Sequence, residues 1–414
     1  MLRSVTSGSN AAGSEQPPTQ KVRVLFLHSG TRAPLGADTW IQLLIMRHLE
    51  RDTHVVHLAC APGTADEPTP TLSAARQIPN LAIKPVNLGP ELFARSPLGR
   101  ARAAVETAPA LWHLAELALY IKKHRIQVLH TSDRPRDALA CALLARLTGT
   151  KCVVHVHVTY GEWMSPMLRW SMGQADALIG VSAFVARSLV NGGYSPAKTH
   201  AALNAIIPKD WDYRLDPGSV RADLGIGADA LVLICVARIF RSKGQFDLIR
   251  ALGRLRGEFP ELKLLIVGAD YPLGTHHSDE LRALASEQGV SENVIFTGTR
   301  SDVQRLIAAS DILAMPSFEE PFGLVFAEAM AMKRPVIALN NGGAPEVVDH
   351  ERSGLLSSYQ DEDGLVSSIR RLAQDRELRT RMGEYGREQV EARFVPERLA
   401  GDVARIYSKL VARA

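Results

Sequence analysis

The chain has little of what would mark it as a secreted, membrane-spanning or metal-built protein. Only four of its 414 residues are cysteines, Cys60, Cys141, Cys152 and Cys235. Each stands alone in an apolar run with neither metal-ligand spacing nor a Cys-x-x-Cys pair, so reduced core thiols and a cytoplasmic setting are expected. No apolar run reaches the roughly 18 residues needed to span a bilayer, and the nearest, 108–121, is broken by His113 and Glu116. This argues against an integral membrane protein. The first twenty residues lack the apolar core of a signal peptide and read as a disordered tail. No Gly-x-Gly-x-x-Gly follows any strand-like run, which removes a nicotinamide-dependent oxidoreductase from consideration. Acid is scarce in the first half: residues 1–200 hold 21 Lys and Arg against 13 Asp and Glu, while the whole chain carries only +4. Such a half invites an anionic partner. With no basic run and no aromatic stacking pattern, nucleic acid is set aside in favour of a membrane surface or a phosphorylated acceptor.

What is present is alternation. A hydrophobic share of 46% and a charged share of 22% are ordinary for a globular protein, and the length suggests two or three domains. Runs rich in Val, Ile and Leu at 22–28, 54–59, 128–131, 152–158 and 177–181 are separated by helical stretches. The pattern recurs at 231–237, 263–268, 294–297, 312–315 and 336–339. Runs of this kind read as buried parallel strands with helices on both faces, so an α/β chain of two doubly wound domains is expected. A polar, proline-bearing stretch at 206–218 has linker character. Ligands of open parallel sheets bind beyond the carboxyl ends of the strands, and two such domains face each other across a deep crevice.

The densest chemistry lies in Pro316-Ser-Phe-Glu-Glu-Pro-Phe-Gly-Leu-Val-Phe-Ala-Glu-Ala-Met330. Here Glu320 and Glu328 stand eight residues apart around a Pro-Phe-Gly turn. A strand at 311–315, a loop, and a helix at 324–332 are expected, and the unpaired N–H groups at the helix start favour an anion such as phosphate. Glu320 could accept hydrogen bonds from sugar hydroxyls and Glu328 from a ribose diol. Standing alone, the pair would read first as a solvated helix residue, Glu328, and an N-terminal helix charge, Glu320. It is followed, however, by Pro335-Val-Ile337, Gly342-Gly343 and Ser353-Gly-Leu-Leu356. In this order, over about residues 21–410, the chain resembles glycosyltransferase family 4, retaining enzymes of the GT-B fold. One departure is Lys333, where the family usually has the glycine that ends the helix in a left-handed turn.

The resemblance implies an acceptor-side domain at 21–205, a linker at 206–228, a nucleotide-sugar-binding domain at 229–394, and a helix at 395–414 crossing back to the first domain. The expected catalytic residues are His157, Glu320, Arg238 and Lys243. Donor binding is expected from Gly36, Arg238, Lys243, Glu320, Phe322, Gly323, Leu324, Val325 and Glu328, with no metal and no cofactor beyond the nucleoside-diphosphate sugar itself. Arg238 and Lys243, in Arg238-Ile-Phe-Arg-Ser-Lys-Gly244, would neutralise the diphosphate. His157 resembles the family's active-site histidine, whereas His155, Ser182 and Asn204 are expected to be structural. Around Gly36 the match is weak, and the loop reads equally as a helix entry capped by Asp38 or Thr39.

The implied reaction transfers a glycosyl group, UDP being the favoured carrier, to a hydroxyl of a glycan or lipid-linked acceptor with retention. A non-catalytic GT-B scaffold is the alternative, since a fold does not guarantee activity; the presence of Arg238, Lys243, Glu320 and Glu328 argues against it. Between Lys84 and Arg125, seven Lys and Arg face three glutamates among Leu92, Phe93, Leu98, Leu111, Trp112 and Tyr120. This pattern fits peripheral docking on an anionic membrane. A core helix at 111–121 packed on the sheet, with a solvated basic end, is the reading the residues favour slightly more.

Overall fold

The computed structural model describes residues 21–31, 35–64, 67–89, 97–227, 229–271 and 274–412, without the side chains of 97–109. Two all-parallel sheets organise it. The first contains β1 (Val22–His28), β2 (His54–Cys60), β3 (Ala82–Pro85), β4 (Val128–Ser132), β5 (Lys151–Val156), β6 (Ala177–Gly180) and β7 (Thr199–Ala201), in the spatial order β3-β2-β1-β4-β5-β6-β7. The second contains β8 (Val232–Val236), β9 (Lys263–Val267), β10 (Val294–Gly298), β11 (Ile312–Ala314), β12 (Val336–Leu339) and β13 (Gly354–Ser357), in the order β10-β9-β8-β11-β12-β13. Both sheets reverse order next to their first strand, which opens a crevice at the carboxyl ends of β1 and β4 and of β8 and β11.

The central strands form because their Val, Ile and Leu side chains are buried on both faces. In β1, Leu25 and Leu27 join one apolar cluster while Val24 and Phe26 join another. The first cluster continues into the second domain, so the domains share packed apolar surface. The second is closed by the helix Pro396–Ala412, whose Leu399, Val403, Ile406 and Tyr407 are buried against the helix Ala37–His48. The Tyr407 hydroxyl lies 2.6 Å from His130 Nδ1 on β4, so the final helix is keyed into the first domain.

β5 ends at Val156, two residues short of the expected 158, which places His157 in the loop immediately after the strand. The helix Leu324–Ala331 ends in a left-handed turn although a lysine, not glycine, occupies it. Lys333 adopts φ 55°, the left-handed conformation in which glycine is the ordinary residue, and its ammonium sits 4.2 Å from the centre of the Tyr213 ring.

Candidate active site

Loops of both domains meet at the crevice. After β8, the chain runs through Arg238 and a single 3₁₀ turn, Arg241–Lys243, to Gly244 at φ 79°. A Cβ on Gly244 would lie 2.5 Å from the Pro316 carbonyl oxygen, so only glycine lets this turn rest against the loop that follows β11. The close approach sets Lys243 Nζ 2.6 Å from Glu320 Oε2, and the Ser317 hydroxyl donates to the same oxygen at 2.9 Å. Both side chains of the ion pair are mostly buried. Arg238 is held differently. Its guanidinium stacks 4.0 Å from the centre of the Tyr271 ring, and Tyr271 is brought there because its N–H donates to the Ile239 carbonyl, prolonging the β8–β9 pairing.

Arg238, Lys243, Glu320 and the segment Pro321 to Val325 line one cavity of about 250 Å³ with His157, Asn204 and Ala37 of the first domain. The start of the helix Leu324–Ala331 lines it through Gly323, Leu324 and Val325, while the Phe326 N–H already donates to the Gly323 carbonyl at 2.9 Å. A cavity with two cations, a carboxylate and a helix N-terminus is suited to an anionic ligand that also carries hydroxyls.

Across the crevice, burial lowers the pKa of His157 to about 4, outweighing the opposing charge of Asp38, so the ring is neutral at pH 7. Its Nε2 is buried without a partner, and its backbone N–H donates to Asp133 at 3.1 Å. Burial would raise Asp38, but the Arg134 guanidinium, bonded at 2.7 Å, overrides it and holds the carboxyl at about 2.

The expectation of Asp38 or Thr39 as a helix cap is corrected by this geometry. Gly36 occupies the N-cap of the helix Ala37–His48 and no side chain caps it. Asp38 turns to Arg134, and the Thr39 hydroxyl lies 3.1 Å from His28 Nε2. Ala37, rather than Gly36, is the residue of this loop that lines the cavity.

Glu328 lies apart from Glu320. It lines a neighbouring cavity of about 340 Å³ with Trp40, Ile206, Trp211, Ser301 and Gln304. Burial raises its carboxyl to about 7. His155 is fully buried beside His157 with both ring nitrogens unpartnered, behind the cavity wall. Asn204, expected to be structural, lines the cavity with its side-chain amide oxygen Oδ1 buried and unpartnered. Tyr271 was not singled out from sequence. Its only signal there was its place after a predicted strand. Among the described residues, no group of three or more His, Cys, Asp or Glu side chains comes together to hold a metal ion.

Two parallel α/β domains facing each other across a cavity have the architecture of the GT-B fold. Comparison with known proteins gives the family. Residues 42–209 match the family model described as Glycosyltransferase Family 4, and residues 219–389 match Glycosyl transferases group 1. The chain belongs to glycosyltransferase family 4.

Among its relatives, the GDP-mannose-dependent alpha-(1-6)-phosphatidylinositol monomannoside mannosyltransferase of Mycobacterium tuberculosis is 33% identical over 63% of this chain and 70% of its own length. The N-acetyl-alpha-D-glucosaminyl L-malate synthase of Bacillus anthracis is 26% identical over 71% of this chain and 77% of its own. In fold, the chain resembles HepE of Anabaena, crystallised with UDP, at a TM-score of 0.75 and 20% identity, covering 94% of this chain and all of that one.

Proposed function

We propose that the protein is a retaining glycosyltransferase that moves a sugar from a nucleoside-diphosphate sugar to a hydroxyl of a glycan or lipid-linked acceptor. The observation that carries this reading is the single cavity that joins Arg238, Lys243, Glu320 and the start of the Leu324–Ala331 helix to His157 of the facing domain. The donor diphosphate lies between Arg238, Lys243 and the helix N-terminus. Glu320 accepts from the sugar hydroxyls, and the neutral His157 offers Nε2 to another. Glu328 takes the ribose diol, with the donor extending from the cavity of Arg238 and Lys243 into the neighbouring one that Glu328 lines.

The acceptor oxygen attacks the anomeric carbon from the face the diphosphate leaves. As the bond from that carbon to the phosphate oxygen breaks, the acceptor proton passes to the departing phosphate. The products are a glycoside of unchanged anomeric configuration and a nucleoside diphosphate. Donors aimed at the developing phosphate charge contribute several kcal/mol to such a step. Uracil is the proposed base, in keeping with the UDP bound to HepE; the mycobacterial relative is named for GDP-mannose, so both belong in the test. The test is release of nucleoside diphosphate from a panel of UDP-, GDP- and ADP-sugars in excess EDTA. Turnover is expected without added cation, because Arg238 and Lys243 carry the neutralising charge. Strict dependence on manganese or magnesium contradicts that part of the reading, and no turnover of any donor leaves the binding-scaffold alternative standing.

The surface supports a membrane-held acceptor. The helix Pro97–Lys123 packs Leu117 and Ile121 into the core, as the core-helix reading expected, yet its opposite side presents Leu111, Trp112 and Leu119. Leu143 and Leu147 of the neighbouring helix Pro135–Thr148 are open, as are Trp163 and Trp170 at the helix beyond it. These seven side chains are between 38% and 71% exposed. Exposed Lys122, Lys123, Arg125 and Arg146 accompany them. Aromatic and aliphatic groups interleaved with cations suit the interface of an anionic bilayer. Arg95, Leu92 and Phe93 lie outside the described residues, as do the side chains of Arg100, Arg102 and Leu98. No helix among the described residues is long and apolar enough to cross a membrane. Sedimentation with anionic but not zwitterionic vesicles, weakened by salt and by Trp112→Ser, is expected; recovery in the supernatant from both vesicle types at low salt contradicts docking.

A further inference from the structure

A second contact crosses the crevice, and none of the roles assigned above uses it. The helix Ala183–Asn191 of the first domain starts at Ser182, whose hydroxyl oxygen accepts from Val185 N–H at 3.1 Å. Glu346, in the short helix Ala344–Val347 of the second domain, closes over that helix start. Its Oε2 accepts from Ala183 N–H at 2.7 Å and its Oε1 from Phe184 N–H at 2.6 Å, with Arg187 at 3.9 Å. A carboxylate taking two backbone N–H groups at a helix N-terminus is a charge-assisted contact further favoured by the helix dipole.

The same contact reaches the donor loop from both sides. The Ser182 hydroxyl donates to the Pro321 carbonyl at 2.6 Å, directly after Glu320. Three residues before Glu346, Gly343 N–H donates to the Glu320 carbonyl at 2.7 Å. A Cβ on Gly342 would come within 2.7 Å of the Glu320 backbone, and one on Gly343 within 2.3 Å of the Pro321 oxygen. The glycine pair therefore lets Glu346 and Glu320 ride on one rigid unit. Arg393 braces that unit by donating to the Glu346 carbonyl at 2.8 Å and pairing with Asp349 at 3.2 Å.

We propose that Glu346 is the positioning residue of an interdomain clasp, which seats the first domain, with His157 and Asn204, over the Glu320 loop. Transfer requires the clasp to be closed. This rests on the glycosyltransferase reading, in which the donor is held mainly by the second domain; the clasp therefore governs turnover more than nucleotide affinity.

The test uses the full chain with Glu346→Ala, Glu346→Gln and Ala183→Pro. Proline is tolerated at the first position of a helix, so Ala183→Pro removes one donor of the clasp without breaking the helix. Steady-state kinetics, UDP and GDP affinity by calorimetry, and solution scattering are compared with the wild type. Glu346→Ala should lower kcat about tenfold or more, as loss of charge-assisted bonds implies, with nucleotide Kd changed no more than about twofold. Its radius of gyration should increase. Glu346→Gln keeps one accepting oxygen and should recover part of kcat, and Ala183→Pro should fall between. A kcat within about twofold of wild type in folded Glu346→Ala and Ala183→Pro overturns the proposal. So does a loss of kcat matched by an equal loss of nucleotide affinity with unchanged dimensions, the mark of a merely structural residue. If the wild type turns over no donor, the glycosyltransferase reading has failed, and scattering alone then decides whether Glu346 closes the domains.

Discussion

Glu320 and Glu328 belong to one motif yet meet different surroundings. Glu320 is already bonded to Lys243 and Ser317, whereas burial holds the Glu328 carboxyl near pH 7 in its own cavity. A carboxylate accepts from a ribose diol most strongly when ionised, so nucleotide binding should draw a proton from Glu328. Affinity for the nucleoside diphosphate should then rise roughly tenfold between pH 6 and pH 8, following the ionised fraction of a group titrating near 7. Calorimetry on wild type and Glu328→Gln checks this, with the variant expected to be flat across the range. In the unliganded protein the sign is opposite. Because the folded pKa stands above the ordinary value of 4.5, the destabilisation accrues as pH rises from 4.5 to about 7 and is complete above it. At this scale the sequence disclosed the residue types of the site but not their partners. Nothing between Arg238 and Tyr271 announces a stacked pair, and Glu346 and Ala183 are 163 residues apart.

At the scale of elements, what was legible followed burial. The central strands β1, β8, β9 and β12 carry Val, Ile and Leu on both faces, and their limits were readable to within about a residue of those observed. β3 (Ala-Ile-Lys-Pro) and β7 (Thr-His-Ala) are edge strands with little buried surface, so no apolar run marked them. β13 was missed for a related reason: its Gly-Leu-Leu-Ser is short and opens on a glycine that lies against the Val336 backbone. The glycine turns carry the functional geometry. Gly244→Ala would force a side chain into the left-handed region and against the Pro316 carbonyl, displacing Lys243 from Glu320. Unfolding should lose about 1–2 kcal/mol or more by denaturant titration, and turnover should fall with it. A variant of wild-type stability and rate would show that the turn does not set the ion pair.

Over the whole molecule, the first domain buries imidazoles. Burial lowers the pKa values of His28, His54, His57, His130, His155 and His157, to about 4 for His57 and His157 and about 3 for His130. Each binds a proton in the unfolded chain near its ordinary value of 6.5 but not in the folded one, so stability is lost as pH falls from 6.5 toward 4. Asp133 and Glu328, raised to about 7 by burial, act the other way in that window. Six imidazoles outnumber two carboxyls. The melting temperature should therefore drop between pH 7 and pH 5 with net proton uptake on unfolding; a temperature that holds or climbs over that range contradicts the burial account. Two doubly wound domains could be read from the repeated strand–helix alternation. How they close could not, because closure rests on pairs distant in sequence, such as His130 with Tyr407 and Ser182 with Pro321.

The central claim is that one crevice transfers sugar from a nucleotide donor through Lys243 and Glu320. Its most direct measurement is nucleoside-diphosphate release from the donor panel by wild type, Lys243→Ala and Glu320→Ala, with the fold of each variant verified by circular dichroism. Both side chains sit on loops at strand ends, outside the apolar clusters, so the fold should persist although their mostly buried ion pair is lost. Expected are turnover of at least one nucleotide sugar by the wild type, near-complete loss in both variants, and weakened nucleoside-diphosphate binding in Lys243→Ala. Near-normal release by both folded variants with that same donor would contradict it.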